Sequence, residues 1–233
     1  MRYLAVSLLA AVIFLLPAAS RAGAAVRMES YPYGKGEVRL VGHVAWDDAI
    51  KGPRPAVLVV HEWWGLNDYA RDRAKALASM GYLALAADIY GEGFETKDPA
   101  KARELAGKFR GGDRALLRER VTSALDALKN HPLADKGRVA AIGYCFGGTA
   151  VLELARTGAD LAGVVSFHGG LSTPRPASAG TIRAKVLVLH GADDPSVPQE
   201  EVQAFQDEMK KSGADWQMVT YGGAVHTFTN PAA

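Results

Sequence analysis

The sequence predicts an α/β fold, a mostly parallel sheet with helices on both faces. Three observations carry that reading. Short apolar runs rich in β-branched residues, such as AVLVV (56–60) and KVLVL (185–189), lack polar alternation, as strands covered on both faces require. Amphipathic helical stretches separate these runs. The polar residues that break the pattern, His61, Glu62, Asp88, Cys145, His168, Asp194 and His226, fall at or just beyond the C-terminal ends of the strands. That is where open sheets of this class gather their ligand groups.

The elements follow in order. EVRLVGHVAW (37–46) alternates in part and reads as an antiparallel edge strand or hairpin arm. KGPRP (51–55) is a turn, and AVLVV is the first covered strand. Asn67 or Asp68 then caps a helix that Gly81 ends. YLALAAD (82–88) is a strand, and residues 98–130 are helical with a break at Gly111-Gly112. RVAAIG (138–143) is a strand that runs into a helix over 146–157. Strands follow at 161–169 and 184–191, then a helix stopped by Gly213, then a last strand over 216–221. After His226 only seven residues remain, so the expectation is a chain that lacks the helix with which such a sheet normally closes, leaving an apolar face exposed.

With 233 residues, 48% of them hydrophobic, the chain fits one domain, residues 25–233, better than two. Ahead of it stand Arg2, an apolar run over 4–16, Pro17 and a small-residue tract. This is the order of an export signal, 1–24, cleaved after Ala22-Gly23-Ala24 or, alternatively, after Ala18-Ala19-Ser20. The run falls short of the ~20 residues of a membrane span, so no stable span is expected after cleavage and the protein is expected to be periplasmic or secreted. Twenty-seven basic against 25 acidic residues give a formal charge of +2. That balance supplies no basic footprint, so nucleic acid is not an expected partner.

The one cysteine has no partner for a disulfide within the chain. It sits in GYCFGG (143–148), between a strand and a helix. A glycine two residues to either side lets strand and helix approach closely, while the nucleophile projects from a strained turn toward the unpaired N–H groups of a helix start. Those groups and the helix dipole favour thiolate, the attacking form. A nucleophile of this kind needs a base and a group that orients the base, in the chain order nucleophile, acid, histidine. HGADDPSVP (190–198) and YGGAVHTF (221–228) supply them. The spacing selects Asp194 over Asp193, which reads as a turn residue, and His226 over His168 and His190, which read as structural donors to backbone carbonyls.

Together GYCFGG, HEWWGLND, ADIYGEG, HGADDPSVP and AVHTFTN resemble the dienelactone hydrolase family of α/β-hydrolases, from about Gly34 onward. The resemblance implies a Cys-Asp-His triad on Cys145, Asp194 and His226, cleaving small esters or lactones through an acyl-enzyme. It implies that Glu62 lies beside the nucleophile and holds the resting thiol, and that the backbone N–H groups of Trp63 and Phe146 form the oxyanion hole. Trp63, Trp64, Tyr90 and Glu92 are the implied pocket residues. The family's arginines that bind a carboxylate-bearing lactone fall here on Glu92 and Asn230, so the expected substrate is a neutral or differently charged ester or lactone. No metal or organic cofactor is expected, since the histidines lack ligand spacing. Acyl transfer or thioester cleavage at the same site, or a non-catalytic thiol sensor or binding protein, are the alternatives. Oligomeric state is not legible.

Overall fold

Val57 and Val59 on one side of a strand and Leu58 and Val60 on the other are all buried, so that strand lies between two packed layers. The computed structural model describes residues 25–34 and 38–231. The export signal and Glu37, the first residue of the expected edge strand, lie outside them. The elements are β1 (Val26–Tyr33), β2 (Leu40–Asp47), β3 (Arg54–Val60), α1 (Asp68–Ser79), β4 (Leu83–Ala87), α2 (Pro99–Arg110) and α3 (Ala115–Lys129). They continue with β5 (Ala134–Tyr144), α4 (Phe146–Arg156), β6 (Gly163–Phe167), β7 (Lys185–Gly191), α5 (Gln199–Ser212) and β8 (Trp216–Tyr221).

The eight strands form one sheet in the order β1-β2-β4-β3-β5-β6-β7-β8. β1 pairs antiparallel with β2 and β2 with β4, and every later pairing is parallel. The predicted fold class is therefore the observed one. β1 was not anticipated. Its residues are half-buried or exposed, so VRMESYPY carries a weak apolar signal and is held by its ladder to β2.

The elements stop where local chemistry stops them. Asn67 caps α1 by accepting from the Ala70 N–H. Asp98 caps α2, with Pro99 at the first helical position. Gly213 closes α5 in the left-handed conformation. Ala70, Ala74 and Ala78 of α1 pack on Val57 and Val59, whereas Phe109 of α2, Leu117 and Val121 of α3, and Phe146 and Val151 of α4 belong to the core on the other face with Leu58 and Val60. On β6 and β7, Val164, Ser166, Val186 and Val188 are buried, while Val165, Phe167, Leu187 and Leu189 are half-buried. Beyond Tyr221 the described chain makes turns rather than a helix.

A cluster of buried charges locks the site-bearing side of the sheet. Glu153 of α4 is fully buried and pairs with Arg114, Arg118 and Arg156, and Arg156 also pairs with Glu208 of α5. The same side chains hold the segment after β6. Arg114 donates to Ser172 O, Arg156 to Leu171 O, and Glu201 accepts from the Leu171 and Ser172 N–H groups.

Candidate active site

β5 ends at Tyr144 and α4 begins at Phe146, which leaves Cys145 alone in the bend with φ 52° and ψ −111°. A non-glycine residue at such an angle is strained and persists only when its surroundings fix it. The glycines explain how the bend closes. A Cβ on Gly143 would stand 2.0 Å from Gly147 O, and one on Gly147 would stand 2.2 Å from Val60 O. Neither position accepts any side chain. Phe146 opens α4, so its N–H has no acceptor within the helix.

The thiol faces a cavity of about 640 Å³. His226, in the turns after β8, brings Nε2 to 3.1 Å from Cys145 Sγ, and its Nδ1 stands 2.7 Å from Asp194 Oδ2. Asp194 is fixed in turn, since its Oδ1 accepts from the Ser196 N–H at 2.8 Å. Asp193 is exposed, and its N–H donates to Ala224 O, tying the turn after β7 to the segment that carries His226. Burial opposes a charge on His226. The hydrogen bond and charge of Cys145, joined by those of Asp194, outweigh burial and raise its pKa to about 9. The imidazole is therefore held toward its protonated form beside Cys145 Sγ.

Glu62 also lines the cavity and is buried. Its Oε2 accepts from Asn230 Nδ2 at 3.2 Å, and its Oε1 has no hydrogen-bond partner. Burial raises its pKa against the opposing pull of Asn230, His226 and Arg73. Among the described residues no hydrogen bond joins Glu62 to the thiol, which is turned to His226 instead.

Trp63 and Trp64 line the cavity, but Tyr90 and Glu92 do not. Tyr90 stands behind the wall. Its hydroxyl donates to Trp63 O, and its ring packs on His61, Phe109 and Phe146. Glu92 is carried away by its loop. Asp88 accepts from the N–H groups of Val41, Gly91 and Gly93, and the Glu92 N–H donates to Arg39 O, so the turn folds against β2. The place expected of Glu92 is taken by α2, whose Arg103, Ala106, Gly107 and Arg110 lie on one helical face and line the cavity. Arg110 lies over the ring of Phe146, 5.9 Å from its centroid. The spacing of these residues was visible in the sequence, but arginines on an amphipathic helix read as its solvent face.

His168 was read as a donor to a backbone carbonyl. Its Nδ1 is instead 3.1 Å from the Cys145 backbone N and accepts that N–H. His190 is buried with Nδ1 unpartnered. Among the described residues no group of three His, Cys, Asp or Glu side chains could hold a metal ion, and no helix is long and apolar enough to cross a membrane.

The family model for the dienelactone hydrolase family matches residues 42–233. A solved dienelactone hydrolase-like promiscuous phosphotriesterase from metagenomic libraries is 46% identical, with a TM-score of 0.84 over 91% of this chain and 87% of that one. A Yersinia pestis protein named "Putative carboxymethylenebutenolidase" is 28% identical over 81% of this chain and 74% of its own.

Proposed function

The chain belongs to the dienelactone hydrolase family, and from that premise we propose a cysteine hydrolase that cleaves small esters or lactones through an acyl-enzyme. As a member of the family it is a hydrolase acting on esters or lactones. The observation that supports the cysteine mechanism is the continuous contact Sγ–Nε2 at 3.1 Å and Nδ1–Oδ2 at 2.7 Å, open to a cavity.

In this reading the Cys145 thiolate attacks the carbonyl carbon. The carbonyl oxygen becomes an oxyanion between the backbone N–H groups of Phe146 and Trp63, a pair of donors of which losing one costs about 3 kcal/mol of barrier. The C–O bond breaks, and the departing alkoxide takes the proton from His226 Nε2. Water then gives a proton to Nε2 as it attacks the thioester, releasing the acid and restoring the thiolate–imidazolium pair. Asp194 keeps the Nδ1 proton in place and offsets the imidazolium charge. Glu62 stands at the cavity wall, where burial raises its pKa.

The substrate's charge is read differently from the sequence expectation. That expectation rested on Glu92 and Asn230 standing where the family's arginines fall; Asn230 lines the cavity, but Glu92 lies outside it. Arg103 and Arg110 supply a cationic wall instead, so esters and lactones that carry a carboxylate away from the scissile bond are accepted. Turnover of an ester and lactone panel by the parent and by Cys145→Ala tests the reading. Loss of all turnover in the variant is expected, and equal turnover would remove the covalent mechanism.

A second reading draws support from the 46% identical phosphotriesterase. The same thiolate and paired N–H donors suit attack at a neutral phosphotriester, and a p-nitrophenyl phosphotriester in the same panel tests it. Export of the mature chain from Ala25 is also proposed, and N-terminal sequencing of the protein recovered from its host checks it.

A further inference from the structure

Three of the five described non-glycine residues with positive φ meet at the site: Cys145 at 52°, His168 at 41° and Thr227 at 62°. Thr227 is β-branched, for which this region is a genuine outlier. Strain of this kind costs on the order of 1–3 kcal/mol per residue and survives only where surrounding bonds hold it. The side chain of His168 makes bonds of that kind on both sides.

His168 follows β6 and is fully buried, with its own N–H donating to Leu189 O at 2.9 Å. The Cys145 N–H is shared between Phe167 O at 3.0 Å and His168 Nδ1 at 3.1 Å. Nδ1 must therefore offer a lone pair, which puts the ring proton on Nε2. Nε2 stands 2.7 Å from Thr229 Oγ1 and donates to it. Thr229 is anchored further, because Tyr69 Oη lies 3.0 Å from its Oγ1 and Arg73 donates to its carbonyl at 2.9 Å. The imidazole also meets the rings of His226 and Phe228 edge-on, each at 5.3 Å.

We propose that His168 is a positioning residue that joins the strained nucleophile bend to the strained segment 226–230, fixing the distance between Cys145 Sγ and His226 Nε2. The ring can do this only while neutral, because protonation of Nδ1 would set an N–H against the Cys145 N–H. The groups around it keep it neutral. Burial and the charge of His226, against the pull of Asp194, push its pKa down to about 4. Asn230, the next residue after Thr229, donates to Glu62 Oε2 at 3.2 Å, so the segment that His168 holds also touches the buried carboxyl.

The inference rests on the proposed cysteine mechanism for its kinetic arm alone. The test compares the parent with His168→Phe, which keeps a ring but loses both nitrogens, His168→Asn, which returns an acceptor near Nδ1, and Thr229→Val, which removes the hydroxyl at a half-buried position. The readouts are kcat and KM on p-nitrophenyl acetate, thermal stability, and the pH at which His226 loses its proton, followed by imidazole NMR. For His168→Phe we expect kcat to fall roughly 100-fold with KM within about two-fold, the scale of a small misplacement of reacting groups. The His226 titration moves down from about 9 as its contact with the thiolate loosens. Thr229→Val moves both readouts the same way by less, and His168→Asn recovers part of the loss. A merely space-filling His168 would lower stability and leave the His226 midpoint and kcat of the folded protein unchanged, and that result in His168→Phe overturns the proposal. Should His168→Phe fail to fold, an unchanged His226 midpoint and kcat in Thr229→Val overturns it equally. If the parent cleaves no ester, the NMR midpoint still decides the positioning role while the hydrolase reading fails separately.

Discussion

Asp194 Oδ2 stands 2.7 Å from His226 Nδ1, and this contact fixes which nitrogen of the imidazole faces Cys145. The carboxylate is fully buried and its other oxygen is held by the Ser196 N–H, so it cannot turn away. Asp194→Asn removes the charge and keeps the shape. Its kcat/KM is expected to fall roughly 100- to 1,000-fold, the range of a general acid–base that has lost its orienting partner. Steady-state kinetics on a single activated ester measures this, and a loss below ten-fold would show that the thiolate pair holds His226 by itself.

The pH profile follows from the raised pKa of His226. In the proposed mechanism the imidazolium must carry its proton to release the alkoxide, and it loses that proton as pH rises through about 9. The rate kcat/KM is therefore expected to decline with an alkaline limb centred near that value. A limb near the ordinary histidine value would mean that Cys145 and Asp194 do not hold the proton in the working enzyme.

Arg103 and Arg110 should distinguish substrates by charge. Replacing either with alanine is expected to lower kcat/KM for a carboxylate-bearing ester about ten-fold while leaving its neutral isostere within about two-fold, the scale of one charge-assisted hydrogen bond. Paired assays of the two esters read the difference. Equal effects on both would place the arginines in packing rather than recognition.

Much of this was legible because it depends on short-range sterics. The bend at Cys145 is written in Gly143 and Gly147, where no side chain fits, and Asp194 and His226, which meet the thiol in space, follow it in the expected chain order. The substrate end was not legible. Arg103 and Arg110 enter the site only because α2 packs across the Cys145 bend, and nothing in their helical spacing separates a pocket wall from a solvent face. Glu92 misled for the complementary reason, since Asp88 turns its loop onto β2 through three backbone N–H groups. His168 acts through the Cys145 N–H on the neighbouring strand, a contact made by sheet register between β5 and β6 that no local spacing reveals.

Glu153 carries a prediction about stability. It faces Arg114, Arg118 and Arg156 with no exposure of its own. Glu153→Gln leaves three guanidinium groups close together without that charge, and the expected loss is about 3–5 kcal/mol, the cost of breaking a buried ion network from one side. Urea denaturation measures it. A loss under about 1 kcal/mol would mean that Glu208 and water compensate the arginines.

Intact-mass and peptide mapping after rapid acid quench of the protein with p-nitrophenyl acetate tests the central claim most directly. The account predicts one acetyl group on the peptide containing Cys145, formed in the parent and absent from Cys145→Ala together with turnover. Turnover retained by Cys145→Ala, or an acetyl group carried on another residue in a competent intermediate, would contradict it.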